Sequence, residues 1–183
     1  MSSGSALAAR HDDLFNDHVV DYLGDYFRDC PERFGRLYNR MWQRKSPWVP
    51  SFSLMAMVMG PAWFAYRRHY IAMGLSMWVI NTMLMIGYFS DHEGWLAIAT
   101  ATAVATWAFC GLFARAIVLT HAARLITRTA ERLGEPLLRR RAIWRAGGVD
   151  RVTGFGMLAG QATMMFPLAW ELVNGPILLW PIL

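Results

Sequence analysis

Between Phe52 and Thr120 the chain is apolar almost without interruption, broken only at Arg67-Arg68-His69-Tyr70 and Ser90-Asp91-His92-Glu93-Gly94. Ile71 to Phe89 carries no charge over about 19 residues, and Trp95 to Ala114 is similar. At ~1.5 Å per residue each can cross a hydrocarbon layer of ~30 Å. Residues 90–94 leave room only for a tight turn, so the pattern predicts a transmembrane helical hairpin. The expected fold class is an all-α integral membrane protein with about three transmembrane helices, amphipathic N-terminal helices and a short interfacial or re-entrant helix. Composition agrees: of 183 residues, 55% are hydrophobic and 14% aromatic.

The net charge of +5 is an arginine charge, since Lys45 is the only lysine. Arginine blocks beside apolar spans report orientation and anionic phospholipid, and no nucleic-acid partner is expected. Cys30 and Cys110 lie far apart, with no CxxC spacing, and read as free thiols of a reduced compartment. The N-terminal stretch lacks the apolar core of a secretory signal, so the spans are expected to insert as internal signals.

A helix is predicted over 12–29, with Phe15, Val19, Tyr22, Leu23, Tyr26 and Phe27 on one face. Asp13, Asp17, Asp21, Asp25 and Asp29 form an acidic ridge on the other, either a solvated face or a surface for a cationic partner. After Pro31, a basic helix over 32–45 sets Phe34, Leu37, Tyr38, Met41 and Trp42 against Arg33, Arg36, Arg40 and Arg44. Two arrangements suit this pair. The basic helix lies on lipid headgroups, or the two helices fold back so that aspartates answer arginines.

Residues 52–66 are too short for a span and carry Gly60-Pro61 at the middle, which suits an interfacial or re-entrant segment within 51–70. Phe52-Ser53, then Gly60-Pro61-x-Trp63, Tyr66-Arg67-x-x-Tyr70 and Gly74, resembles the motif of a widespread family of uncharacterised small bacterial inner-membrane proteins. The likeness covers Phe52 to Phe89. It departs from the family pattern at Leu54 to Met59, where members carry a more aromatic run. The resemblance implies a bacterial inner membrane with the motif on the cytoplasmic side, and it supplies no catalytic residues.

Helical spacing continues past the second span, through Arg115, His121, Arg124, Arg128 and Arg132, to Gly134-Glu135-Pro136, predicting one helix of roughly 58 Å. A basic segment over 121–151 follows, with Arg139, Arg140, Arg141 and Arg145 expected at headgroups. A third span is predicted over Val152 to Val173. Gly156 and Gly160 on it, Ala97, Ala101 and Ala105 on the second span, and Asn81 on the first are the expected helix-packing surfaces. The apolar tail 174–183 is expected in the interface or against another subunit. Positive-inside asymmetry places the N-terminus in the cytoplasm and the C-terminus in the periplasm.

Groups able to do chemistry are sparse. Glu171 is the candidate proton or ion site, near the far end of its span. Asp91, His92 and Glu93 are adjacent in sequence and poorly spaced to share a metal. The 12 methionines, Met55, Met57, Met59, Met73 and Met77 among them, are apolar filler before they are copper ligands. No cofactor is predicted beyond bound phospholipid, with haem or pigment ligation by His69 or His121 left open. The expected function is a non-catalytic accessory or scaffolding subunit of a larger bacterial inner-membrane complex, binding other membrane subunits and anionic lipid. Two alternatives stand beside it, a small homo-oligomeric transporter or channel and a peripheral lipid-sensing protein.

Overall fold

The structure, a computed structural model, describes residues 17–29, 31–89 and 93–174, without the side chains of 17, 18, 88, 89, 93, 95, 96 and 164–174. The described residues are helical and contain no strand. In chain order the helices are α1 (Asp17–Tyr26), α2 (Pro31–Arg44), α3 (Leu54–Met59), α4 (Ala62–Tyr66), α5 (Tyr70–Phe89), α6 (Glu93–Arg132), α7 (Pro136–Ala146) and α8 (Arg151–Asn174). With 40 residues, α6 runs about 60 Å and organises the molecule. Its first half pairs with α5, and its second half is the spine of a helical head.

The head has an ordinary buried core. Val19, Leu23 and Phe27 from the α1 region, Phe34, Leu37 and Met41 from α2, and Ile143 from α7 close over Val118, Leu119, Ala122 and Ile126 of α6. Phe27 and Phe34 stack with ring centroids 3.7 Å apart and planes 5° apart. Of the apolar stripe of α2, Phe34, Leu37, Tyr38 and Met41 are buried in protein and Trp42 stays exposed, so the helix does not lie free on lipid, the first of the two expected arrangements. Burying four large side chains in a packed core outweighs leaving them at an interface. The alternative arrangement is also corrected in part. α1 and α2 do pack together, but Asp25 pairs with Arg140 of α7 at 3.0 Å and Asp29 approaches Arg67 at 3.9 Å, so these two aspartates answer arginines outside α2.

Local chemistry sets the boundaries. Pro31 and Glu32 suit the first turn of α2. The helix ends where Lys45 takes φ 46°, with Lys45 N–H donating to Trp42 O (3.1 Å) and Ser46 N–H to Met41 O (3.2 Å). The segment expected as one short helix is two. Ser53 caps α3 by accepting from Ala56 N–H, and Gly60, at φ 54° and ψ −135°, turns the chain into α4. This hairpin runs along the apolar half of α6: Ser51 N–H donates to Leu112 O and Ser53 N–H to Gly111 O, Met57 rests on Gly111, and Gly60 lies against the Trp107 ring.

Among the described residues two helices are long and apolar enough to cross a membrane, α5 over Tyr70–Gly87 and α6 over Ala97–Arg132. Only 11% of the α5 window is buried, and Trp78 stands 66% exposed. Glu93 and Gly94, expected in the linker between them, belong to α6. α8 is a single helix of 24 residues, packed on α4. Residues 12–16, the expected start of the first helix, and the tail 175–183 lie outside the described residues.

Candidate functional site

The residues of the Gly-Pro-x-Trp motif build the joint between the head and α8. Trp63 is buried, and Tyr66 lies so close to Gly154 of α8 that a Cβ there would sit 2.6 Å from the tyrosine's Cβ. Arg67 is only 8% exposed, and its guanidinium lies 5.4 to 5.6 Å from the centroids of Phe34, Trp63 and Tyr66. Arg68 Nη1 donates to Arg145 O (3.0 Å), and Tyr70 Oη donates to Asp150 Oδ2 (3.1 Å). Asp150 also caps α8, accepting from Thr153 N–H (3.0 Å) and Thr153 Oγ1 (2.7 Å). Those bonds from Thr153 are the main reason its carboxyl titrates below the usual carboxylate range. The motif thus does structural work here, bonding two successive helical hairpins together.

Beside this joint, the outer face of α2 and the middle of α6 enclose an open groove of about 620 Å³ lined by Arg33, Arg36, Arg40 and Arg115. Arg33, Arg36 and Arg40 follow the helical repeat and project from one side of α2, the side opposite its buried stripe. Arg115 comes from a distant part of the chain, held in place by its Nη1 bond to Phe52 O (3.0 Å). It is the first charged residue after the uncharged run from Trp95 to Ala114. Exposed Trp48, edge-on to Phe113 with centroids 6.2 Å apart, and exposed Phe52 lie at the same level. Four guanidiniums meeting at one groove favour a multiply charged anion, with arginine suited to forked contacts with phosphate oxygens.

The other expected lipid-facing arginines divide. Arg139 donates through Nε (3.1 Å) and Nη2 (2.8 Å) to Leu133 O, finishing α6, and Arg140 is spent on Asp25. Arg44, Arg141 and Arg145 remain exposed. Of the acidic ridge, Asp21 is exposed, Asp25 and Asp29 face arginines of the head, and Asp13 and the side chain of Asp17 lie outside the described residues.

Within the chain, close helix contacts are made by other residues than the expected helix-packing ones. Asn81 is exposed while its neighbour Ile80 is buried, so the apolar residue faces the protein. Ala99 and Ala103 are buried in place of Ala97, Ala101 and Ala105, which are exposed. Within the chain the close approach on α8 is made by Gly154, and Gly156 and Gly160 have open space where a Cβ would stand. Gln161, unnoticed in the sequence, is buried and donates from Nε2 to Met77 Sδ (2.8 Å). Its place one turn beyond Met157 and Leu158, and two beyond Gly154, was the available signal. The side chain of Glu171, together with Asp91 and His92, lies outside the described residues.

His69 and His121, scattered in sequence, pack edge to face with ring centroids 4.5 Å apart. That contact leaves no gap for a planar macrocycle between them. His69 Nδ1 accepts from Ala72 N–H (3.2 Å) at the start of α5, a bond available only to the neutral ring. Burial pushes the His69 pKa below the ordinary imidazole value, with a backbone hydrogen bond opposing. The folded state then holds fewer protons than the unfolded chain just below about pH 6.5, and stability rises with pH through that window. Unfolding in mild detergent is expected to shift to lower temperature between about pH 7.5 and about pH 5.5, and His121, held low by burial and then by repulsion from His69, Arg124 and Arg128, adds to the shift in the same direction. His69→Asn is expected to flatten the shift; an unchanged slope would contradict this role. The Asp150 carboxylate, held low, contributes its loss only at more acidic pH.

Compared with known proteins, the chain matches no family model, no curated protein and no solved structure.

Proposed function

We propose that this chain is an integral protein of a bacterial inner membrane, with a cytoplasmic head and three spans, α5, the first half of α6 and α8, and that it serves as a non-catalytic accessory or scaffolding subunit of a larger membrane complex. The observation that carries the membrane reading is α5, an uncharged helix with only 11% of its window buried by this chain although it pairs with α6. Exposed Ile71, Leu75, Trp78 and Met85 would strand far more apolar surface in water than a soluble monomer tolerates. In hydrocarbon they are at no disadvantage. The α3–α4 hairpin, lying along the apolar half of α6 with Leu54, Met55 and Val58 exposed, supports the re-entrant of the two readings of residues 52–66. The resemblance of the Gly-Pro-x-Trp region to a bacterial inner-membrane family points the same way.

The scaffolding role is supported by what the spans leave open. Gly156 and Gly160 on α8, and Ala97, Ala101 and Ala105 on α6, are outward small-residue faces of the kind that let a helix from another subunit approach closely. The arginine groove adds a headgroup contact at the cytoplasmic edge. Membranes of the source cell, washed with alkaline carbonate, are expected to retain the chain. A native gel in mild detergent is then expected to show it migrating with other membrane subunits at fixed stoichiometry. The double change Gly156→Leu with Gly160→Leu should release it from them while leaving it in the membrane. Migration as a lone small oligomer would defeat the accessory reading and favour a homo-oligomeric transporter.

A further inference from the structure

The groove between α2 and α6 assigns a more specific partner than a negatively charged surface. We propose that Arg33, Arg36, Arg40 and Arg115 form a binding site for a phospholipid whose headgroup carries two phosphates. The inference rests on the membrane reading above and adds the ligand to it.

Size comes first. Arg33 and Arg40 are seven positions apart, about 10.5 Å along the helix axis. One tetrahedral phosphate reaches two adjacent guanidiniums and not all four. Four guanidiniums lining one groove can hold two phosphates, two to each, in forked hydrogen bonds, and the volume of about 620 Å³ accommodates both with their linker. Charge agrees, because among the described residues no carboxylate lines the groove.

Position favours a lipid over a soluble phosphate compound. Arg115 follows directly on the uncharged run of α6, and exposed Phe52 and Trp48 lie beside it, as aromatic residues do at headgroup depth. The adjacent exposed side chains of Leu54, Met55 and Val58 offer acyl chains a protein surface below the phosphates. Basic pockets between membrane helices on the cytoplasmic side are a general mode of recognising such headgroups.

The test uses the full-length protein taken in neutral detergent from carbonate-washed membranes. Thermal unfolding and native mass spectrometry are followed during titration with cardiolipin, with phosphatidylglycerol and with inorganic pyrophosphate at about 0.15 M salt, where distant surface charges are largely screened. Cardiolipin is expected to bind at least about ten-fold more tightly than phosphatidylglycerol, as a one-for-one adduct. Arg36→Gln with Arg40→Gln is expected to weaken it about a hundred-fold, each charge-assisted hydrogen bond being worth roughly ten-fold. Arg141→Gln, an exposed change on α7, should leave it within about two-fold, as a surface charge outside the groove would. Equal affinity for the two lipids, or equal losses in both variants, would reduce the groove to generic surface charge and overturn the proposal. Pyrophosphate competing as well as cardiolipin would overturn the lipid assignment in favour of a soluble phosphate ligand. A protein retained after carbonate washing but indifferent to cardiolipin refutes this site alone, whereas one released by the wash refutes the membrane reading as well.

Discussion

Gly60→Ala is expected to destabilise the folded protein by about 4 kcal/mol, from two separable causes. The backbone at φ 54° and ψ −135° belongs to a region that residues with a Cβ rarely enter, at a cost of about 1–3 kcal/mol. A Cβ would also lie 2.5 Å from Cε2 and 2.7 Å from Cζ2 of Trp107, so the indole or the α3–α4 turn must move. Unfolding in mild detergent with added denaturant would measure the loss. Trp107→Ala in the same chain should relieve the steric part, so that the double variant is more stable than the sum of single losses predicts. A Gly60→Ala protein within about 0.5 kcal/mol of the parent would mean that the turn does not pass so close to α6.

Phe27→Ala is expected to cost a similar amount, about 4 kcal/mol, for a different reason. Phe27 lies just past the end of α1, buried, with its ring stacked on Phe34 of α2 and edge-on to Tyr26 at 4.8 Å. Removing it empties a ring-sized volume between two helices and takes away the stack, itself worth about 0.5–1.5 kcal/mol. Its effect should spread, because Phe34 is also one of the rings around the buried Arg67 guanidinium. Phe27→Leu, which keeps most of the volume, is expected to cost less than about 1.5 kcal/mol. If limited proteolysis released 17–44 no faster from Phe27→Ala than from the parent, α1 would not be anchored as described.

Both predictions concern contacts between segments distant in sequence, and that is where the sequence was hardest to read. Helix positions came through well, since each is a local matter of periodicity and breakers. The long helix running past the second apolar run, the break at Gly134-Glu135-Pro136 and the start of α2 at Pro31 all correspond to residues whose backbone preferences act within one turn. The end of α2 at Lys45 did as well, even though a lysine there takes a conformation that usually goes to glycine. Gly60-Pro61 marked a break, but nothing local required the second half to double back.

The arginine groove was legible by halves. Arg33, Arg36 and Arg40 share a helix face, a fact of spacing, and their headgroup role was an expectation from it. Arg115 could not be joined to them by any sequence signal, because the link between α2 and α6 is tertiary. The same limit explains Arg139 and Arg140, which looked like lipid contacts but meet Leu133 O and Asp25, and Gly154, whose close approach to Tyr66 no spacing in the sequence announced.

By itself the sequence determined the helices, their lengths and which runs are apolar enough to cross a membrane, since these depend on backbone propensity and on transfer free energies that add residue by residue. Only the tertiary structure decided which apolar faces are consumed by the head and which are left outward. An amphipathic helix such as α2 satisfies its apolar stripe equally well against lipid or against protein, and the choice follows from the complementary surface that α1, α6 and α7 bring to it from elsewhere in the chain.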